Sequence, residues 1–544
     1  MERRQLPRRE FLATLAAAFP VAAFDWNAFP RRTGRRRGSD DYDVVVIGSG
    51  LGGLSCAAAF ARQGFRPLVI EQHDKPGGFA TAFPRPGGFV FDVSLHSTTV
   101  GERDGVRNLI AGFPEITEVE FLPHPNLFRA IYPEHDIRVA QRDPVAYVAQ
   151  LTALFPGERE GIAGLFADMG GLASEVGRLS SAGGRVDMSR FAVDYPHLVR
   201  FNGKTWGEMV DARVRDPRLK AIVSGQWGYY GLPPSRLSCF YYAIPFMGYL
   251  SAGGFYPRGR SQSISTALAR YIQGHGGTVL LNARVDRILV RDGAATGVTT
   301  ADGRTFAGRA VVSNADPFAT FQRMLPDQSA LAEYEAAWQR YSVSLSSFQV
   351  FLGLKEDLVG RLGLTDSEVF ISPGYDPDGE YAHALAGEVE QGGVGVSLYD
   401  AIYRGYSPPG KNTVNLLTLQ GYGPWERFEA DYFAGRKAEY NRAKRRMADA
   451  LIRQAERTLL PGLSRAIEVI EIGTPLTNVR YTGHRRGAIY GWDQTVNNSG
   501  STRIGHATPI RNLYLAGAWS RPGHGYGAVI PSGLECFAEI MRGW

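Results

Sequence analysis

Cysteine is scarce in this chain of 544 residues: Cys56, Cys239 and Cys536 are the three. They lie far apart in sequence and form no C-x-x-C pair, so no disulfide framework, cysteine metal centre or redox dithiol is expected. Each reads instead as a small buried hydrophobe. Net positive charge is nearly absent from the body. The net charge is +6, but residues 1–40 hold nine Arg against Glu2, Glu10, Asp25 and Asp40, which places five of those six charges in the leader. A neutral body excludes the basic footprint that nucleic-acid binding needs. The exception is the run Arg442, Lys444, Arg445 and Arg446. It falls in a helical stretch over 436–460 and reads as a solvated helix face, with contact to anionic lipid as the alternative. What is present is globular: 44% apolar and 21% charged residues, in a chain long enough for two or three domains.

The start reads Pro7-Arg8-Arg9-Glu10-Phe11-Leu12, followed by a moderately apolar stretch to Phe24 and a second basic cluster over 31–37. This is the order of a twin-arginine export signal. The stretch falls short of the about 20 apolar residues of a transmembrane helix. Such a signal carries folded proteins, so export in folded form is expected, to the periplasm or a membrane surface; no clean A-x-A site is visible, and cleavage is left open.

From Asp41 the pattern changes. Asp41-Tyr42-Asp43-Val44-Val45-Val46-Ile47 is a β-branched apolar run, as expected of a strand buried on both faces of a parallel sheet. It ends in a G-x-G-x-x-G spacing on Gly48, Gly50 and Gly53, and an Ala-rich helical stretch follows. The first Gly permits the tight turn, the second lets backbone approach a pyrophosphate, and the third lets helix pack on strand. The helix N-terminus then faces the phosphates with unpaired N–H groups and partial positive charge. A second strand, Pro67-Leu68-Val69-Ile70, ends in Glu71, placed to accept hydrogen bonds from ribose hydroxyls.

That pattern serves FAD and NAD alike, and three downstream features favour FAD. The run Gln72 to Gly78 follows Glu71 directly and ends in the pair Gly77-Gly78, at an offset that resembles the second phosphate contact of FAD enzymes. The turn and strand from Gly276 to Val285 bring backbone near Val285 to a place that resembles the adenine contact of FAD enzymes. A late apolar strand, Asn512 to Ala518, carries Gly517 and leads through the loop Pro522-Gly523-His524-Gly525 into a helix over about 528–541. In such folds this helix points at the flavin N1–C2=O edge, and its dipole stabilises reduced flavin. No second G-x-G-x-x-G in strand and helix context occurs, so no separate nicotinamide domain is expected and the electron partner is not indicated.

With these pieces placed, the sequence resembles the phytoene desaturase, carotenoid isomerase and retinol saturase group of flavoproteins, and most the retinol saturase branch. The stretches carrying the resemblance are Tyr229-Tyr230-Gly231-Leu232-Pro233-Pro234-Ser235 and Gly253-Gly254-Phe255-Tyr256-Pro257-Arg258-Gly259, joined by Phe91 to His96 and Gly487 to Asp493. The chain departs from that pattern at Gly248, where relatives carry His before Tyr, and at Arg260, where they carry Gly.

The resemblance implies an α/β fold: a discontinuous FAD-binding domain of Rossmann type, like that of glutathione reductase, over 41–110, 255–325 and 481–544. A mixed α+β substrate domain over 111–254 and 326–480 would complete it. It also implies oxidoreduction or isomerisation of carbon–carbon double bonds in a hydrophobic polyene or isoprenoid lipid, with peripheral membrane contact compatible with such a substrate. Two alternatives share the fold: an amine oxidase-like flavoenzyme, and a non-catalytic prenyl-lipid carrier, against which the intact Gly48, Gly50, Gly53 and Glu71 set weighs. The aromatic stretch from Ser238 to Leu250 reads either as core or as the wall of a tunnel for a long apolar substrate. Hydride transfer at carbon needs at most one acid or base from the protein. His96 and His524 are the candidates, with Tyr490 and Asp493 shaping the site.

Overall fold

In the computed structural model of the protein, the Tyr42–Ile47 strand is buried at every position after its first. Both of its neighbours run parallel to it, Pro67–Ile70 on one side and Thr305–Ser313 on the other. The residues described are 24–32, 42–99, 113, 116, 118–182, 186–325, 331–339, 341–499 and 502–544, so the paired Arg8-Arg9 of the leader lie outside them. Among them, Thr278–Leu280 extends the sheet beyond Pro67–Ile70, and Leu513–Leu515 pairs with the end of Thr305–Ser313. The hairpin Val285–Arg291 and Ala294–Thr300 pairs with the start of that same strand. Strands from both ends of the chain thus meet in one seven-stranded sheet.

Helix Leu51–Arg62 lies on this sheet, buried from Leu51 through Ala61. Its small residues let the C-terminal helix Tyr526–Arg542 approach closely: a Cβ on Gly533 would run into the Gly52 carbonyl and stand 2.7 Å from the Cys56 amide. Cys56 and Cys536 meet at this contact as free thiols, close enough to hydrogen-bond, a pairing that their separation in sequence hides. Residues 24–32 dock here too. Phe24, Trp26 and Phe29 all pack against Phe537, and Arg32 pairs with Asp43.

A second seven-stranded sheet has the order Ile467–Gly473, Ser346–Leu354, Asn412–Gln420, Val394–Ser397, Glu368–Ile371, Phe128–Ile131, Asp136–Val139. It is antiparallel except where Glu368–Ile371 meets Phe128–Ile131. Helices between residues 144 and 252, chiefly Arg159–Ser181 and Cys239–Ala252, share a core with its near edge. No helix among the described residues is long and apolar enough to cross a membrane. The basic helix, Ala438–Thr458, neutralises part of its charge along its own face, with Arg442 paired to Glu439 and Arg445 to Asp449.

Candidate functional site

The glycine loop is fixed from both sides. Gly48 takes a positive φ of 88° and donates its N–H to the Ile70 carbonyl at 2.8 Å. Ser49 donates from its amide and its hydroxyl to one oxygen of Glu71, at 2.8 and 2.7 Å, and the His73 amide donates to the other at 2.9 Å. Glu71 therefore orders the loop, while the oxygen that accepts only from His73 keeps a lone pair for a ribose hydroxyl. Gly77 folds back on this loop. It bridges to Gly50, and its N–H donates to the Ser49 hydroxyl at 3.2 Å. A Cβ on Gly78 would stand 3.3 Å from the Gly50 Cα, so the two glycine pairs form one cradle of exposed backbone.

Asn314, at the end of the Thr305–Ser313 strand, locks the cradle, and the sequence reading passes over it. Its Oδ1 accepts the Gly53 N–H at 3.1 Å. Its Nδ2 lies 2.5 Å from where a Cβ on Gly50 would be, and its Oδ1 fills the place of one on Gly517. The only local hint is a polar residue closing an apolar strand.

A cavity of about 740 Å³ runs from this cradle into the second half of the molecule. Ala283 to Val285 line it near Glu71, and Gly517 to Trp519 near the glycine loop. The C-terminal helix starts after Gly525, at a φ of 87°, and residues 525–529 line the cavity, so the helix N-terminus opens into it. Buried Arg503 fastens the preceding loop, donating to the Ser520 carbonyl at 3.1 Å, the Ala518 carbonyl at 2.5 Å and the Gln494 side chain at 3.0 Å.

Helix Cys239–Ala252 forms the far wall. Tyr241, Ile244, Pro245, Gly248 and Tyr249 line the cavity, while Tyr242, Ala243, Phe246 and Leu250 pack into the core. The stretch is core on one face and cavity wall on the other, at helical spacing.

The two candidate histidines line this cavity in different settings. The Gln494 amide donates to His524 Nδ1 at 3.2 Å, and His524 Nε2 donates to the Tyr229 carbonyl at 3.2 Å. Its ring packs on Tyr490 with centroids 4.3 Å apart. Burial, helped by the charge of Arg503, pulls its pKa down to about 3, so His524 is a neutral ring with both nitrogens engaged. His96 differs. Its Nδ1 lies 2.8 Å from the Ser397 hydroxyl and 3.2 Å from the Tyr399 hydroxyl, and its Nε2 has no hydrogen-bond partner among the described residues. Burial pulls its pKa down to about 4.

Tyr490 lines the cavity and donates to the Gly228 carbonyl at 2.7 Å. Asp493 is buried beside Arg236, and burial raises its pKa to about 6. Two acids missed in the sequence also line the cavity, Glu368 and Glu380, and burial raises them to about 8 and about 7. Neither sits in a recognisable motif.

A glycine loop of exposed backbone, a carboxylate at the strand end and two helix N-termini fit a dinucleotide at the cradle and an electron-rich ring edge at Gly525. The profile of the family described as flavin containing amine oxidoreductase matches residues 51–540. The all-trans-retinol 13,14-reductase of Danio rerio is 28% identical over 92% of this chain and 86% of its own length. Prolycopene isomerase 1 of an Oncidium hybrid cultivar is 27% identical over 93% and 85%. Among solved structures, an oxidoreductase from Methanosarcina mazei aligns over 92% of this chain and all of its own, at 17% identity and a TM-score of 0.58. Cyclohexylamine oxidase from Brevibacterium oxydans aligns over 92% and 98%, at 17% identity and a TM-score of 0.56. With a cradle built for FAD and a family match spanning nearly the whole body, the chain belongs to the flavin containing amine oxidoreductase family and is an FAD-dependent oxidoreductase.

Proposed function

We propose that the enzyme acts on a carbon–carbon double bond of a polyene or isoprenoid lipid, by saturation, desaturation or isomerisation. The observation that carries this reading is the single cavity joining the dinucleotide cradle to the aromatic face of helix Cys239–Ala252. Its face of Tyr241, Ile244, Pro245 and Tyr249 suits a long, flat, apolar chain, and relatives named for retinol and prolycopene support that class. When bound, FAD supplies the hydride acceptor or donor. The chain's own groups hold the lipid, exclude water and exchange a proton at His96 Nε2, while His524 holds the Tyr229 segment against the loop before the C-terminal helix.

The reading is tested by incubating FAD-loaded enzyme with carotenoids, retinoids and unsaturated fatty acids and identifying products by mass and geometry. A mass change of two hydrogens marks redox turnover, and an unchanged mass with new geometry marks isomerisation. Amine oxidation is the second reading, favoured by the two buried acids Glu368 and Glu380, either of which would pair with an ammonium. Turnover of an amine, with every polyene unchanged, would select it.

For the leader we infer export in folded form, with residues 24–32 kept on the body, a reading supported by the packing of Trp26 and Phe29 on Phe537. We infer that the lipid is delivered from a membrane surface, with the exposed Val145, Leu154, Val193 and Val199 of the helical region as the residues that would meet it.

A further inference from the structure

Glu368 and Ser397 stand opposite each other on neighbouring antiparallel strands, so their side chains project from the same face of the sheet. The Glu368 carboxyl and the Ser397 side chain lie within reach of each other, and the Ser397 hydroxyl lies 2.8 Å from His96 Nδ1. On its other side Glu368 accepts from the Tyr229 hydroxyl at 3.4 Å. The result is a chain of three proton-carrying groups, Glu368, Ser397 and His96, on the cavity wall. Each end has one atom without a partner among the described residues, Glu368 Oε1 and His96 Nε2.

We propose that Glu368 is the proton reservoir of His96 and exchanges its proton with the imidazole through the hydroxyl of Ser397. This rests on the reading of His96 as the proton-handling group of a carbon–carbon double-bond reaction. Glu368 acts through His96 and not on the substrate.

A histidine that donates a proton as imidazolium is not available here, because His96 titrates at about 4. A neutral imidazole can still pass a proton if one nitrogen gains what the other loses. In the donating state the Glu368 O–H points to Ser397 Oγ, the Ser397 O–H points to His96 Nδ1, and His96 carries its proton on Nε2. As the Nε2 proton leaves for a substrate carbon, the Ser397 proton moves to Nδ1 and the Glu368 proton moves to Ser397 Oγ. The products are a protonated carbon, a Glu368 carboxylate, an unchanged Ser397 and a neutral imidazole protonated on Nδ1. Proton abstraction runs the same steps backwards.

Both tautomers of His96 have a place prepared. The Tyr399 hydroxyl spends its own proton on the Leu95 carbonyl at 2.9 Å, which leaves its lone pairs 3.2 Å from Nδ1, ready to accept the Nδ1–H form. Glu368 is suited to donate, since burial holds its carboxyl protonated up to about pH 8. The groups facing it are neutral hydroxyls: Tyr229, Tyr249, Ser397 and Tyr399. His124, which faces His96, is itself kept neutral by burial, at about 3.

The test uses FAD-loaded enzyme labelled with 15N-histidine, so that the His96 tautomer is read by NMR while the Glu368 C=O stretch is followed by infrared difference spectra. Raising the pH through about 8 ionises Glu368, which turns the Ser397 hydroxyl toward the carboxylate and moves the His96 proton from Nε2 to Nδ1. Glu368→Gln should abolish this tautomer change, with FAD content and Tm checked alongside. Ser397→Ala leaves the acid in place, so the carboxyl should still titrate while the His96 tautomer no longer follows it. Both variants should lose roughly 10²-fold in turnover, and Glu368→Gln should lose the change of rate around pH 8, which is a fall where the relay donates the proton and a rise where it abstracts one. A Glu368 band that titrates in the wild type with the His96 tautomer unmoved overturns the relay, as does a tautomer change that persists in Glu368→Gln. Should the coupled change occur in an enzyme that converts no polyene, the relay stands and the functional reading fails.

Discussion

Asn314 and Gly53, 261 residues apart in the chain, share the hydrogen bond that holds the glycine loop to the central sheet, from the Gly53 amide to the Asn314 Oδ1 at 3.1 Å. The same carboxamide occupies the space a side chain on Gly50 would need, so the loop stays open to a pyrophosphate only while both residues are in place.

Two substitutions separate those roles. Gly50→Val drives a side chain against Asn314 Nδ2, 2.5 Å from the new Cβ, and pushes backbone from the pyrophosphate, so the protein should purify without flavin colour. Asn314→Ala removes the hydrogen bond but not the space. A lost bond to a buried amide costs about 1–2 kcal/mol, so FAD affinity should weaken by roughly five- to thirtyfold, read by fluorescence titration of apoprotein with FAD.

The two histidines should respond differently to truncation. His96→Ala should retain FAD and lose roughly 10²–10⁴ in turnover, the usual worth of a positioned acid or base. In His524→Ala the Tyr229 carbonyl and the Gln494 amide lose their partners, a cost of about 1–3 kcal/mol that should appear as a lower Tm. Flavin content, Tm and single-turnover rate measured on both variants check the distinction, and a His524→Ala enzyme of wild-type stability with the larger loss of rate would reverse the assignment.

Gly248 lines the cavity with nothing within 4 Å of an added Cβ. Gly248→Phe should therefore fold and bind FAD, yet place a ring in the path of the substrate. At an overpacking cost of about 1–3 kcal/mol, KM for long polyenes should rise by roughly five- to 150-fold, with short isoprenoids less affected. Steady-state kinetics over a series of chain lengths reads this directly.

Replacing Arg8 and Arg9 together with Lys keeps the charge but removes the paired guanidinium groups, which ammonium groups do not replace. Cell fractionation should then find the protein retained in the cytoplasm, still loaded with FAD. An unchanged distribution would reduce the leader to a basic tail.

Legibility in the sequence followed the range of the interactions. Gly48, Gly50, Gly53, Glu71 and Gly77 belong to one strand–loop–helix–strand unit, where the buried run Tyr42–Ile47 and the glycine spacing determine backbone and ligand together. The aromatic stretch could be divided between wall and core only once helix Cys239–Ala252 gave each residue a face. The strand and turn from Ala310 to Pro317 could be read as returning to the cofactor, but not the role of Asn314 in it, because its partners Gly50, Gly53 and Gly517 are brought to it by parallel pairing along both edges of the Thr305–Ser313 strand. Glu368 was missed for a related reason. Its significance comes from a cross-strand register with Ser397 and a bond onward to His96, none of which leaves a local motif. His96 and His524 look equivalent as sequence, and only their partners separate them: among the described residues one keeps a nitrogen without a partner, while the other has both engaged.

The most direct test of lipid double-bond chemistry is anaerobic mixing of the enzyme with polyenes in each flavin state, followed by the visible flavin absorbance. Reduced enzyme should regain its oxidised colour with an acceptor polyene, or oxidised enzyme should bleach with a saturated isoprenoid donor. An isomerase would instead change the polyene geometry and leave the colour as it was. If carotenoids, retinoids and unsaturated fatty acids remain unaltered and leave both states unmoved while an amine bleaches the oxidised enzyme, the account is contradicted.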